Sequence, residues 1–181
     1  YKSTNTPAGR DLVREYVDAF RAEGLKVGFY YSLIDWHHPD FTIDAIHPRR
    51  NDKDAFEQNQ GRDMKKYAEY MRNQVTELLT NYGKIDIMWF DFSYPNKDPN
   101  FPDWMEGKSK DHWESEKLIE TVRSIQPDII IDNRCDLEQD IWTPEQYQPL
   151  TWVKHAETGE LVTWEACQTL PGSWGYHRDE A

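Results

Sequence analysis

The chain has 181 residues, and its 33 Asp and Glu residues outnumber its 21 Lys and Arg residues, which gives a net charge of −12. That acidity argues against a nucleic-acid backbone or an anionic membrane surface as a partner, and no apolar run is long enough to span a membrane. The length suits one domain or a piece of one. The two cysteines could pair but form no disulfide framework. Because no metal-ligand spacing is present, we expect neither a metal nor another cofactor.

Three helix–strand units follow one another along the chain, each with apolar residues at helical spacing and then a short apolar strand. Thr6-Pro7 predicts the start of the first helix, and Gly24 predicts its end. Gly83 ends the second helix and Pro127 stops the third. The predicted strands are residues 26–33, 84–91 and 128–134, with a weaker fourth strand at residues 161–170.

Helices that alternate with buried strands predict a parallel α/β sheet with right-handed crossovers. No glycine-rich phosphate fingerprint follows any strand. Strands that run into long polar loops instead fit a (β/α)8 TIM-like barrel, whose active site lies at the carboxyl ends of its strands. About four strands are present, so we predict that residues 1–181 form a partial catalytic barrel domain, roughly half of a barrel. Its two open edges would require missing segments or a second copy of the chain, as a homo-oligomer, to complete the sheet.

Asp91 is the sharpest candidate for a catalytic residue. It ends the strand at residues 84–91, where barrel enzymes place catalytic groups, and it shares a strand face with Trp89. A carboxylate beside an aromatic side chain at a strand end suits a glycosidase nucleophile, although a loop-capping Asp is the plainer interpretation. Arg134 ends the next predicted strand, and its guanidinium could bind sugar hydroxyls or form a salt bridge at the rim.

Two glutamates compete for the role of a second carboxylate. Glu145 lies in the loop sequence TPEQ, from which it could reach over a pocket as a general acid. Glu165 lies in the predicted fourth strand, where it could also be a structural carboxylate. At the end of the first strand, only one of Tyr30 and Tyr31 can face a barrel interior. The adjacent pair His37-His38 lacks a third metal ligand, which favours a loop role or a substrate contact.

Several segments, taken in order, resemble the glycoside hydrolase family 29 α-L-fucosidases. Each segment alone is modest, but their order and spacing are specific and cover most of the chain. The segments are GLKVGFYYSLIDWHHPDF (Gly24–Phe41), IDIMWFDF (Ile85–Phe92), IIIDNR (Ile129–Arg134), TPEQ (Thr143–Gln146) and TWEACQTLPGSWGYHRDE (Thr163–Glu180).

This resemblance implies a retaining enzyme that removes terminal α-L-fucose from oligosaccharides or glycoconjugates through a covalent intermediate. Asp91 falls on the family nucleophile, and Glu145 is the choice for the acid/base, with Glu165 second. The resemblance places four residues at the substrate: Tyr30 (with Tyr31 possible), Trp89, Arg134 and Trp174, the last against the methyl side of fucose.

One departure qualifies the resemblance. The family's fucose-binding histidines lie in a stretch resembling KHHDGF, which this sequence lacks, and His37-His38 follows a different strand. The final barrel strand is also missing. Two alternatives therefore stay open: another TIM-barrel glycoside hydrolase with a different sugar, or an inactive sugar-binding fragment.

Overall fold

The computed structural model describes residues 2–170 and 172–179. After a short 3-10 turn at Ser3–Asn5, the elements are α1 (Leu12–Ala22), β1 (Gly28–Ser32), α2 (Ala55–Asn59), α3 (Met64–Asn81), β2 (Ile87–Asp91), α4 (Lys110–Trp113), α5 (Ser115–Ile125), β3 (Ile130–Ile131), β4 (Ile141–Trp142) and β5 (Thr163–Trp164). None of the described helices combines the length and the apolarity that crossing a bilayer requires.

The main sheet has three parallel strands in the order β1-β2-β3. Its register pairs Gly28 with Ile87 and Ser32 with Asp91, so β1 and β2 end together at one edge. The predicted parallel α/β arrangement is confirmed. The described residues form only a fragment with small sheets and no closed barrel, because three short strands cannot curve back to meet each other.

The first helix begins later than Thr6-Pro7 predicts. Asp11 is the cap residue of α1, and its side chain accepts a hydrogen bond of 3.0 Å from the backbone N–H of Arg14. The Thr6 hydroxyl instead donates to the carbonyl of Ser3 and closes the preceding 3-10 turn. An aspartate supplies the same cap as a threonine, so the local signal was ambiguous.

The core lies between the main sheet and the helices α3 and α5. Along β2, Met88 and Phe90 are fully buried, while Trp89 and Asp91 lie on the opposite, half-buried face. Strand alternation thus assigns one face to the core and the other to a site. Burial of each large apolar side chain contributes about 1.5–3 kcal/mol. The helix residues in this core include Tyr67, Met71, Val75, Leu79, Trp113, Leu118 and Val122.

The carboxyl-terminal third forms less regular sheet than the sequence predicts. Residues 161–170 contribute only the two-residue strand β5, which pairs in parallel with β4, a strand that the sequence analysis missed. A single bridge from Asp132 to Ile141 connects β4 to the main sheet. Both cysteines are free, Cys135 buried and Cys167 partly buried, so the disulfide left open by the sequence is absent from the structure.

Two long loops at the carboxyl ends of β1 and β2 pack on each other as a cap, defined here as residues 33–63 and 92–109. The cap has its own small core around Ile43 and Met105. Lys108 and Asp44 form an ion pair of 3.0 Å between side chains that are each 1% exposed. Gly107 is required for this packing, because a Cβ there would lie 2.1 Å from the carbonyl oxygen of Tyr94.

Candidate active site

The candidate site lies where β1 and β2 end. Asp91 is the last residue of β2 and Tyr30 is the register partner of Trp89 on β1. The rings of Tyr30 and Trp89 stack with centroids 5.4 Å apart and planes inclined by 22°. The sheet therefore presents an aromatic surface beside one carboxylate, as the sequence predicted for Trp89 and Asp91.

Donors from three parts of the chain hold the Asp91 carboxylate. The Tyr30 hydroxyl donates to Oδ2 at 2.6 Å. Oδ1 accepts from Nε and Nη2 of Arg134 at 2.9 and 2.6 Å and from the backbone N–H of Phe92 at 2.8 Å. With its side chain only 14% exposed, this carboxylate has a defined orientation, which a nucleophile requires.

Tyr30 and Tyr31 have different environments, as strand alternation requires. Tyr31 turns to the helix side, where its hydroxyl donates to Oε1 of Gln74 at 2.6 Å. Tyr30 alone reaches the carboxylate. Loss of hydration at the hydroxyl and the hydrogen bond to Asp91 raise the pKa of Tyr30 well above its ordinary value. The phenol thus keeps its proton at neutral pH, and its O–H group donates a hydrogen bond to Asp91.

Arg134 connects the two predicted catalytic carboxylates. It lies in the turn after β3 rather than within that strand. Its Nη2 contacts Asp91 at 2.6 Å and Oε2 of Glu145 at 2.8 Å, and its guanidinium lies 5.0 Å from the ring centroid of Trp89. Burial lowers the pKa of Arg134, but its hydrogen bonds to Asp91 and Glu145 more than offset this and raise it.

Glu145 is brought to the site by a loop that a single parallel bridge to Cys167 anchors. The side chain is 47% exposed, so water and a substrate can reach it. Because its Oε2 and Oδ1 of Asp91 share one nitrogen, the two oxygens cannot be further apart than the sum of the two contacts. Asp91 and Glu145 are therefore close neighbours that contact the same guanidinium.

Glu165 has a different environment from Glu145. It follows β5 instead of lying in a strand, and its backbone N–H donates to the carbonyl of Trp142 at 3.0 Å. Its Oε1 accepts from the Trp89 indole N–H and from the Thr143 hydroxyl, the latter at 2.8 Å. Glu165 is therefore connected to the site through Trp89, whereas Glu145 shares Arg134 with Asp91.

Asp132 is a buried carboxyl group behind the site. Its Oδ1 accepts the backbone N–H of Phe90 at 3.1 Å, but its Oδ2 is buried without a hydrogen-bond partner. Burial, together with the charge of Glu165, raises the pKa of Asp132 to about 7 against backbone hydrogen bonds that lower it. The folded chain thus keeps a proton on Asp132 in mildly acidic solution.

This proton predicts a pH-dependent stability. The unfolded chain releases it near pH 3.8, so the stabilisation is complete below that pH and is lost as the pH rises towards 7. We expect Asp132→Asn, which cannot ionise, to lose less thermal stability than the unsubstituted chain between pH 5 and pH 8. Circular-dichroism melting at both pH values measures this, with the exposed Asp128→Asn as control. An equal loss of thermal stability in Asp132→Asn and in the unsubstituted chain would contradict the prediction.

The structure does not bring every predicted residue to this site. Trp174 is 64% exposed, and within residues 2–170 and 172–179 no hydrogen bond or ring contact joins it to Asp91 or Arg134. His38 packs its ring 4.3 Å from that of Tyr70, and its Nδ1 accepts the backbone N–H of Asp40. His38 therefore has a structural role in its loop.

Three residues of the site were missed by sequence reasoning. Thr143 holds Glu165, and its backbone N–H donates to the side chain of Asn133 at 2.9 Å. Phe92 adopts a left-handed φ of 77° directly after Asp91. Asn133 directly precedes Arg134 and Thr143 lies two residues before Glu145, so both positions could have been found from the sequence. A positive φ at a phenylalanine has no signal in the sequence.

A parallel α/β sheet with paired carboxylates and aromatic side chains beside its strand ends is typical of the class of glycoside hydrolases. The particular family follows from comparison with known proteins. The chain belongs to the α-L-fucosidase family, whose model matches residues 1–181. This family consists of glycoside hydrolases, so the predicted resemblance is confirmed.

Relatives and solved structures agree with this assignment. The chain is 46% identical to α-L-fucosidase isoenzyme 1 from Paenibacillus thiaminolyticus, with a TM-score of 0.81, over 99% of this chain and 42% of that one. A family 29 α-L-fucosidase from Bacteroides thetaiotaomicron is 28% identical, with a TM-score of 0.68, over 99% and 39%. The α-L-fucosidase of Dictyostelium discoideum is 24% identical over 99% of this chain and 34% of its own length. The chain thus spans about a third of the length of these curated relatives.

Proposed function

We propose that this chain carries the catalytic carboxylates of a retaining α-L-fucosidase, which releases terminal α-L-fucose from glycans. The observation that supports this most directly is the shared contact of Arg134 with Asp91 and Glu145. One carboxylate is oriented and nearly enclosed, while the other is half exposed within reach of solvent. This asymmetry fits one nucleophile and one proton-transferring group.

In the proposed first step, an Asp91 oxygen attacks the anomeric carbon of fucose. The bond from that carbon to the leaving oxygen breaks, and the leaving oxygen keeps the electron pair of this bond. The same oxygen receives a proton from Glu145. In the second step, ionised Glu145 removes a proton from water, whose oxygen attacks the same carbon and displaces Asp91. Glu145 then holds the proton again, and α-L-fucose is the product.

Arg134 and Tyr30 serve both steps by holding Asp91. Each donates to a different Asp91 oxygen, so together they restrict rotation of the carboxylate. As the ester bond forms, the attacking oxygen loses its negative charge, and the hydrogen bonds that it accepts become weaker. When water displaces the ester, the donors again stabilise the carboxylate as leaving group. The Trp89 ring lies beside the carboxylate and borders the proposed fucose site.

The test of the proposed function is turnover of 4-nitrophenyl α-L-fucoside by the purified chain. Proton NMR of the first-formed product should show the α-anomer, because two displacements retain configuration. First formation of the β-anomer would contradict the proposed mechanism. Parallel assays with the galactoside separate a fucosidase from another barrel glycosidase, and sugar binding without turnover would favour an inactive fragment. Measuring the mass in solution tests whether two chains complete the sheet.

The assignment of the acid/base predicts a difference between two alanine variants. Glu145→Ala should lower kcat/KM about 100-fold or more for a fucosyl disaccharide, but much less for 4-nitrophenyl fucoside, whose leaving group needs little protonation. Azide should partly restore turnover of the activated substrate and yield fucosyl azide. Glu165→Ala is the matched control, since it removes a carboxylate from the segment that pairs with the Glu145 loop. Azide rescue of Glu165→Ala alone would transfer the role to Glu165.

A further inference from the structure

A second pocket adjoins the candidate site on the cap side. It lies between the ends of β1 and β2, and we call it the tryptophan pocket. It is lined by Ser32, Ile34, Asp35, Trp36, His37 and Phe92. Ser32 is the register partner of Asp91, and Phe92 follows Asp91 directly. The pocket therefore lies at the same strand ends as the Asp91 carboxylate, at which fucose would react.

The aromatic side chains of this pocket are exposed although they are large and apolar. Trp36 is 39% exposed and Phe92 is 44% exposed. Phe92 also has a left-handed φ of 77°, a conformation that is uncommon and strained for a bulky side chain. Strain of this kind persists only where the surrounding structure imposes it. Here the same conformation lets the Phe92 N–H donate to Asp91, so the ring position and the carboxylate orientation are coupled.

Trp36 is held in place by a buried histidine of the cap. His47 is 1% exposed, and its ring lies edge-to-face with Trp36 at 6.4 Å. Its Nδ1 accepts the backbone N–H of Arg49 at 3.0 Å, which leaves Nε2 to donate to the carbonyl of Trp36 at 3.3 Å. Burial lowers the pKa of His47, in agreement with a neutral ring. Trp36 is thus an exposed ring on a fixed backbone.

We propose that the tryptophan pocket binds the leaving-group sugar, the pyranose to which fucose is attached. This inference rests on the proposed function and adds the part of the substrate that departs. Exposed aromatic faces beside polar groups suit a pyranose, which has an apolar face and hydroxyl-bearing edges. Asp35 can accept hydrogen bonds from those hydroxyls. Its negative charge, in a chain of net charge −12, disfavours an acidic sugar there.

The test compares two substrates that differ only in the leaving group. The leaving group of α-L-fucosyl fluoride is a single atom, which is too small to contact Trp36 in the pocket. The second substrate is the disaccharide that the unsubstituted chain hydrolyses fastest, from a panel of fucosyl disaccharides of different linkage. Trp36→Ala should lower kcat/KM about tenfold for the disaccharide. For the fluoride, kcat/KM should stay within about twofold of the unsubstituted chain. Trp36→Phe should recover part of the loss.

Trp152→Ala is the matched control, because Trp152 is 68% exposed and does not line the pocket. Trp152→Ala should leave kcat/KM unchanged for both substrates. An unchanged disaccharide rate in Trp36→Ala, or an equal loss with the fluoride, would overturn the leaving-group pocket while the proposed function stands. Absence of turnover with every substrate would count against the proposed function instead.

A binding measurement tests whether the pocket binds the leaving-group sugar, and it does not depend on turnover. Calorimetric titration of the Asp91→Asn variant should show tighter binding of the disaccharide than of free fucose. Adding Trp36→Ala should remove most of that difference. Equal affinity for the disaccharide and for fucose in Asp91→Asn would overturn the proposal, whatever the rates show.

Discussion

Replacing Asp91 by asparagine should abolish turnover of 4-nitrophenyl α-L-fucoside, with a loss of kcat of at least about 1,000-fold. Asparagine has the same shape but no charge, so it cannot form the proposed glycosyl ester. Arg134 can still donate to the amide oxygen at the Oδ1 position, and the amide NH2 group at the Oδ2 position can donate to the Tyr30 hydroxyl oxygen. The fold should therefore survive, and thermal melting monitored by circular dichroism checks that the variant is folded.

The matched control for this substitution is Asp128→Asn. Asp128 is exposed and precedes β3, at the opposite end of the sheet from Asp91. It should retain kcat within about twofold, since surface substitutions of this kind are nearly neutral. Residual activity of a folded Asp91→Asn chain within tenfold of the unsubstituted chain would remove Asp91 as the nucleophile.

Lys108→Met should lower the free energy of unfolding by about 3–5 kcal/mol, because it removes one partner of a buried ion pair in the cap. The substitution keeps an unbranched side chain of similar length but leaves the Asp44 carboxyl group, which is 1% exposed, without its cation. The Tyr94 hydroxyl still donates to Asp44 at 2.8 Å, which satisfies one oxygen but does not neutralise the charge. Urea unfolding at pH 7 measures the loss.

Two further variants separate charge from packing in that prediction. Lys117→Met removes a cation that is 64% exposed and pairs with Glu114 on the surface, so it should cost at most about 1 kcal/mol. Combining Lys108→Met with Asp44→Asn removes the uncompensated charge and should recover part of the stability. A double variant as unstable as the sum of the single variants would show that packing, not charge, causes the loss.

The cap connects this stability to the candidate site. His47, which positions Trp36, belongs to the same loop as Asp44, and its backbone N–H donates to the Asp44 carboxylate at 3.1 Å. Disruption of the buried ion pair should therefore also loosen the tryptophan pocket. In Lys108→Met, we expect a larger loss with a disaccharide than with fucosyl fluoride, in the same direction as for Trp36→Ala.

The elements and their faces could be predicted because they depend on local periodicity. Alternation along β2 places Met88 and Phe90 in the core and turns Trp89 and Asp91 to the other face. The glycines that end α1 and α3 have φ values of 71° and 73°, as their positions in the sequence indicated. These features need only the residues of one element and its ends.

The sequence alone thus determined the family, the parallel α/β class and Asp91 as the central candidate, since ordered motifs and strand periodicity are properties of the chain itself. Only the tertiary structure decided which residues meet. Arg134 reaches Asp91 across 43 residues of sequence, the choice of Tyr30 over Tyr31 follows from sheet register, and Glu145 differs from Glu165 through one shared arginine. The physical reason is that distances between elements depend on register and on loop paths, which the core and the cap impose and which no local pattern encodes.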